Sequence, residues 1–468
     1  MGLLFCSGLL LSGSILIPSF NFLIWFAFAP LLILVSEINL IQSFWCGTFC
    51  GIAFFASLLC WIVKYEIRIL VIVLALTTPF VALFAFLTRW LWNLYRKEIF
   101  RILAVPIAWF LVHFIYSFTV IDIIGNQIAF LQAPNFPGIV RIVGLSGITF
   151  LVLLTNSLIA QYLMNRKKIG LIGLTMVMLI LAFGKISKLP FYQTQPLRIA
   201  LVQHNFPIDL KWRAQNREKI METYTQAIKQ LGKTIDLIAF PQYGLPVDVL
   251  REPRVFDDLA KKYNTSIILG TYLPKVPGGS LDSGERTDSA LVFSPDRPVQ
   301  EYQAITAPPF RRIGQVLGSA RKTLAIQKIR TGVMLCYEDT RSEEGRLWTL
   351  NGAQILISLS NPGHFLETNL PYYHLMHDRI QAIETGKCLI RVSPNGFSAL
   401  VNPNGELIKQ SRLNEESIIN GVIYPNNQET LFVKWGDILP KICAMIGMIM
   451  LTIPYLLNSI NFLARKIR

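Results

Sequence analysis

Apolar and polar positions divide the chain into three parts. Up to about Gly184 charged residues are scarce, residues 186 to 437 read as an ordinary globular sequence, and from Leu439 the chain turns apolar again. A helix needs about 20 predominantly apolar residues to cross the hydrocarbon core of a membrane. Seven stretches before Ser187 reach or approach that length, roughly 3 to 18, 20 to 37, 43 to 63, 68 to 95, 102 to 120, 142 to 164 and 168 to 185, and an eighth lies near 439 to 460. The first lacks a basic start and a small-residue cleavage pattern, so it reads as a span and not as a signal peptide. The expected organisation is a membrane bundle of about seven helices over 1–186, a soluble domain over 187–437, and a closing membrane helix with a basic tail over 438–468.

Within the soluble part the period changes. "LRIALVQHN" (197–205), "IDLIAFPQ" (235–242), "SIILGTYLP" (266–274), "DSALVFSP" (288–295), "TGVMLCYED" (331–339) and "GAQILISLSNPG" (352–363) are short apolar runs that end in turn residues, the pattern of buried strands. "REKIMETYTQAIKQL" (217–231) and "YYHLMHDRIQAIETG" (372–386) have helical period. "KCLIRVS" then leads into "FSALVNPNGELI", a hairpin marked by Pro-Asn-Gly. Strands alternating with helices predict an α/β fold.

Composition agrees with two solvents for one chain: 52% hydrophobic residues are too many for an ordinary soluble enzyme, and 16% charged residues too many for a bundle alone. The net charge of +15 raises the question of nucleic acid. Much of the excess sits beside the spans, in Arg96, Lys97 and Arg101, in Arg166, Lys167 and Lys168, and in Arg465, Lys466 and Arg468, where anionic lipid attracts it, so no nucleic-acid partner is expected. With eight spans all three clusters fall on one side, which the positive-inside rule makes cytoplasmic. Both termini are then cytoplasmic, and the soluble domain is extracytoplasmic.

"GVMLCYED" (332–339) sets Cys336 at the end of an apolar run, beside Tyr337, Glu338 and Asp339. A strand's carboxyl end is where many α/β folds present a nucleophile, although a free cysteine more often only fills space. Neither a metal site nor a cofactor motif is read from the chain. The segments "ALVQHN", "DLIAFPQYGLP", "GVMLCYED", "GAQILISLSN" and "YYHLMHDRIQAIETGKCLIRVSPNGFSALVNPNGEL" resemble the nitrilase superfamily in order and spacing. With spans before and after the domain, the whole chain resembles the apolipoprotein N-acyltransferases of the inner membrane. The resemblance implies a nitrilase-like αββα sandwich inserted in a multi-pass helical bundle.

It also implies a reaction. A cysteine takes an acyl chain from a phospholipid donor as a thioester, and the amino-terminal amine of a diacylated lipoprotein, its acceptor, then takes the acyl chain up. A glutamate moves protons and a lysine lowers the thiol pKa and stabilises the oxyanion. The family cysteine falls on Cys336 and its supporting glutamate on Glu338. The glutamate of the W-P-E motif falls on Gln242, in "AFPQYGLP". The lysine motif aligns with "YQAITAPPFRR" through Tyr302, Pro309 and Phe310, which puts Ala304 at the lysine position and Arg312 at that of a lid acid. Glu301, Arg311, Arg312, Lys322 and Glu338 are the nearby groups from which a replacement base or cation would have to come. Two readings follow: an acyltransferase with a modified site, or a degenerate relative that binds lipid or lipoprotein without turnover.

Overall fold

The computed structural model describes residues 2–64, 66–118, 128–189, 195–206, 216–243, 253–275, 285–306 and 314–467. The chain forms two compact units, Met1–Ser187 with Asp437–Arg468, and Lys188–Gly436.

In the first unit seven helices among the described residues are long and apolar enough to cross a membrane: Pro18–Glu37, Leu40–Lys64, Ile67–Leu94, Glu98–Tyr116, Pro137–Asn165, Lys168–Ile186 and Ile438–Leu457. The first apolar stretch forms a shorter helix, Gly2–Leu16, because Pro18 opens a new 3-10 turn where it would have continued. Polar groups inside lipid have to be satisfied by protein. Where Pro18–Glu37 breaks between Ala27 and Ala29, the Asn156 side chain accepts from the amides of Phe28 (2.8 Å) and Ala29 (2.9 Å) and donates to the carbonyl of Ile24 (3.0 Å). Gly47 and Gly51 lie one turn apart against Thr78 to Ala85, where a Cβ on Gly47 would come within 2.5 Å of the Val81 carbonyl; the helices meet through small residues.

The second unit is the αββα sandwich. Its strands are β1 Leu197–Gln203, β2 Leu237–Ala239, β3 Ser266–Pro274, β4 Arg286–Ser294, β5 Arg297–Gln303, β6 Gln315–Val316, β7 Leu324–Ile326, β8 Ile329–Leu335, β9 Ile355–Leu359, β10 Leu389–Val392, β11 Ala399–Val401, β12 Leu407–Gln410 and β13 Ser417–Ile423. One sheet runs β13-β1-β2-β3-β4-β5, with β6 beside β4, and the other runs β12-β11-β10-β9-β8-β7. The sheets face one another, β4 against β8 and β1 against β10. Helices α1 Arg217–Leu231 and α2 Pro253–Tyr263 cover the first sheet, and α3 Ser342–Leu350 and α4 Leu370–Thr385 cover the second. Ile220, Tyr224, Ala227, Ile228 and Leu231 form the helical stripe that α1 lays on Ala200, Ile238 and Leu269. Strands covered on both sides need no alternation, and β1, β3, β4, β8 and β9 are buried almost throughout.

Candidate active site

Cys336 follows the last residue of β8, in register with Leu359 at the end of parallel β9, and opens a 3-10 turn over Cys336–Thr340. Its φ is 51°, a left-handed conformation that costs a non-glycine residue about 1–3 kcal/mol and is retained mainly where the surroundings impose it. Cys336 remains partly exposed, while Leu335, Glu338 and Asp339 on either side are buried.

The electrostatics of the thiol are unusual for a nucleophile. Burial pushes it up to about 12, the carboxylates of Asp288 and Asp339 add to the rise, and the Tyr337 amide and Arg391 oppose it. At neutral pH the resting group is a thiol.

Glu338 braces the turn. Its carboxylate accepts from the Tyr302 hydroxyl (2.9 and 3.0 Å), from the amides of Ile305 (2.9 Å) and Thr306 (3.2 Å), and from the amide of Leu335 (2.9 Å). Burial raises its pKa to about 8 against the pull of those donors. With its oxygens so occupied, Glu338 fixes the end of β8 to the segment after β5 and has little capacity left to receive a further proton donor.

Both substituted positions come together, on Asp288. Gln242 is fully buried just beyond β2, and its amide donates to Asp288 Oδ2 at 2.6 Å. Tyr243, also left-handed at φ 51°, donates its hydroxyl to the same oxygen at 2.6 Å. Gly270 lets the segment pass this close to β3, since a Cβ there would lie 2.7 Å from the Gln242 Cα. Ala304, buried after β5, donates its amide to the Asp288 carbonyl at 2.8 Å and brings only a methyl group where the resemblance implies a lysine. Pro309, Phe310, Arg311 and Arg312 lie outside the described residues. Glu301 accepts from Ser289 and Gln303, and Lys322 is exposed; among the described residues the charges that act most on the thiol are those of Asp288, Asp339 and Arg391.

Beneath the turn lies a buried ionic floor. Asp339 meets His374 at 2.7 Å and Arg391 at 2.9 Å, and Arg391 meets Asp378 on α4 at 2.5 Å. Ser358 donates to Asp339 at 3.1 Å. His374 is thereby part of the scaffold. Asp288 and Tyr243 stand around the site, and motif reading singles out neither; Tyr302 entered only as an anchor of the lysine motif. The available signal is Thr287-Asp288-Ser289, a run of buried polar residues inside an otherwise apolar strand.

Two family profiles cover most of the sequence: Carbon-nitrogen hydrolase over residues 198–427 and Apolipoprotein N-acyltransferase N-terminal domain over residues 7–158. The chain belongs to the apolipoprotein N-acyltransferase family. An apolipoprotein N-acyltransferase of Geobacter metallireducens is 23% identical over 97% of this chain and 95% of that protein, and one of Thermosynechococcus vestitus is 25% identical over 66% of this chain and 64% of that protein. Among solved structures, a carbon-nitrogen hydrolase of Helicobacter pylori covers 48% of this chain and 88% of its own, with 18% identity and a TM-score of 0.41. Membership of this apolipoprotein N-acyltransferase family makes the chain a multi-pass protein of the inner membrane with lipid and lipoprotein partners.

Proposed function

We propose that the protein is an apolipoprotein N-acyltransferase in which Cys336 carries the acyl group as a thioester between a phospholipid donor and the amino-terminal amine of a diacylated lipoprotein. The observation that carries the reading is Cys336 itself, held left-handed at the mouth of β8 and partly exposed above a buried ionic floor. A cysteine retained only to fill space needs neither the strain nor the exposure. Similarity along nearly the whole length of the Geobacter relative favours an acyltransferase over a degenerate binder, since the membrane unit and the thiol-bearing unit are kept together. In this reading 1–186 and 438–468 anchor the enzyme, 187–437 is the catalytic domain outside the cytoplasm, and both termini are inside, with the shorter helix Gly2–Leu16 crossing as an eighth span.

The reading implies slow chemistry. Ala304 brings no ammonium to lower the thiol from about 12, and losing one oxyanion-hole donor typically costs about 100 to 1,000-fold. Incubating the purified full-length protein with phospholipid should add an acyl mass to Cys336 that hydroxylamine removes and Cys336→Ala abolishes. A diacylglyceryl-cysteine peptide should then discharge it as an amide. A wild-type protein that is folded and never acquires the mass overturns the reading.

A further inference from the structure

We propose that Asp288 is the general base for Cys336, a carboxylate standing one hydrogen bond away from the side chain at which the family's glutamate is replaced. The assignment deepens the acyl-transfer reading and rests on it. Four observations converge on the residue. The Gln242 amide reaches Asp288 Oδ2 at 2.6 Å, the Tyr243 hydroxyl reaches the same oxygen at 2.6 Å, and the Ala304 amide binds the Asp288 carbonyl at 2.8 Å, so one aspartate ties together both substituted positions. It lies on β4, the strand of the first sheet that faces the Cys336-bearing β8, and among the described residues its charge raises the thiol pKa more than any other charge does.

The competing carboxylates are committed elsewhere. Glu338 receives Tyr302 and three main-chain amides, and Asp339 faces Arg391, His374 and Ser358. The Gln242 amide and the Tyr243 phenol both donate to Oδ2 and orient the Asp288 carboxylate. A glutamine at position 242 is also the right partner for such a base. A glutamate there would set two carboxylates at hydrogen-bond distance, where both cannot ionise.

The step balances without a further reactant. Asp288 takes the thiol proton as Sγ bonds to the carbonyl carbon of the donor ester. The tetrahedral intermediate collapses by breaking the bond to the lysophospholipid oxygen, which leaves with the proton that Asp288 returns. In the second half the acceptor amine bonds to the thioester carbon and gives its proton to Asp288, the C–S bond breaks, and the proton passes to the departing sulfur. An ester and an amine become an alcohol and an amide.

The test uses the full-length protein and two readouts on Cys336, acyl-thioester formation from phospholipid and alkylation by iodoacetamide at mildly alkaline pH, both followed by peptide mass. Asp288→Asn keeps an acceptor oxygen for Gln242 and Tyr243. It should slow thioester formation by about 100 to 10,000-fold, the usual worth of a positioned base, yet speed alkylation, because a negative charge beside the thiol is gone. A merely structural aspartate does not move the two rates in opposite directions. Moving the carboxylate across the hydrogen bond, with Gln242→Glu added to Asp288→Asn, should restore most of the acylation rate. Thioester formation that persists in Asp288→Asn within a few-fold, with Cys336→Ala inert, overturns the assignment and leaves the acyltransferase standing. No thioester in folded wild type overturns both.

Discussion

Gln242 shows how one side chain commits its neighbours. Its Nε2 is a donor at 2.6 Å from a buried carboxylate, an arrangement that glutamate cannot make unless it holds a proton. Gln242→Glu alone is therefore expected to harm the protein, although it restores a family residue. Two carboxylates would share one proton with a pKa raised above the ordinary range, so the variant is most stable in acid and loses stability as pH rises through that value. Each tenfold gain in proton affinity on folding corresponds to about 1.4 kcal/mol, or about 3–6 °C in Tm for a domain of this size, and thermal unfolding of the single variant at two pH values checks it. The deficit should vanish in the pair with Asp288→Asn. Cys336 and Glu338 were legible in the sequence because they occupy one turn, where the strand and its ending are local. Asp288 was not, since it meets Gln242 across 46 residues through the pairing of β2 to β3 and β3 to β4. No residue near it in the chain signals that contact.

Strands and helices were legible where burial is uniform. The runs that became β1, β3, β4, β8 and β9 are apolar from end to end because a helix layer covers one face and a second sheet the other. β5 and β13 escaped because they lie at the edge of their sheet, and their residues, such as Gln300, Glu301 and Asn420, are half-buried or exposed. What locks the elements around the site is a single cation. Arg391 on β10 is fully buried and reaches Asp339 in the turn after β8 and Asp378 on α4, so three elements share one guanidinium. Removing one partner of a buried pair leaves uncompensated charge, and Arg391→Met is expected to cost about 3–5 kcal/mol. The two carboxylates left behind would then bind protons more tightly in the folded than in the unfolded chain, so the deficit shrinks as pH falls. Denaturant midpoints of wild type and variant at neutral and acid pH measure it, and a deficit unchanged by acid would mean that the floor is held by packing instead.

For the whole molecule, the side on which the thiol works depends on counting crossings, and the short first helix does not enter the count. The cluster Arg96, Lys97 and Arg101 lies at the junction of Ile67–Leu94 with Glu98–Tyr116, and the cluster Arg166 to Lys168 at the junction of Pro137–Asn165 with Lys168–Ile186. Two long helices separate these junctions, so both fall on one side whether or not Gly2–Leu16 spans. From the second junction, Lys168–Ile186 crosses away, the unit Lys188–Gly436 follows, and Ile438–Leu457 crosses back to Arg465, Lys466 and Arg468. Three basic clusters on one face is the arrangement that the positive-inside rule assigns to the cytoplasm. In the proposed orientation the thiol-bearing unit is outside, on the side where the proposed diacylated acceptor would meet it. A reporter active only outside the cytoplasm should be active when fused after Ser187 and silent when fused after Arg468, and a cytoplasmic reporter should give the reverse. If the activities exchange, Cys336 faces the wrong compartment for its acceptor, and the acyltransferase reading fails with the orientation.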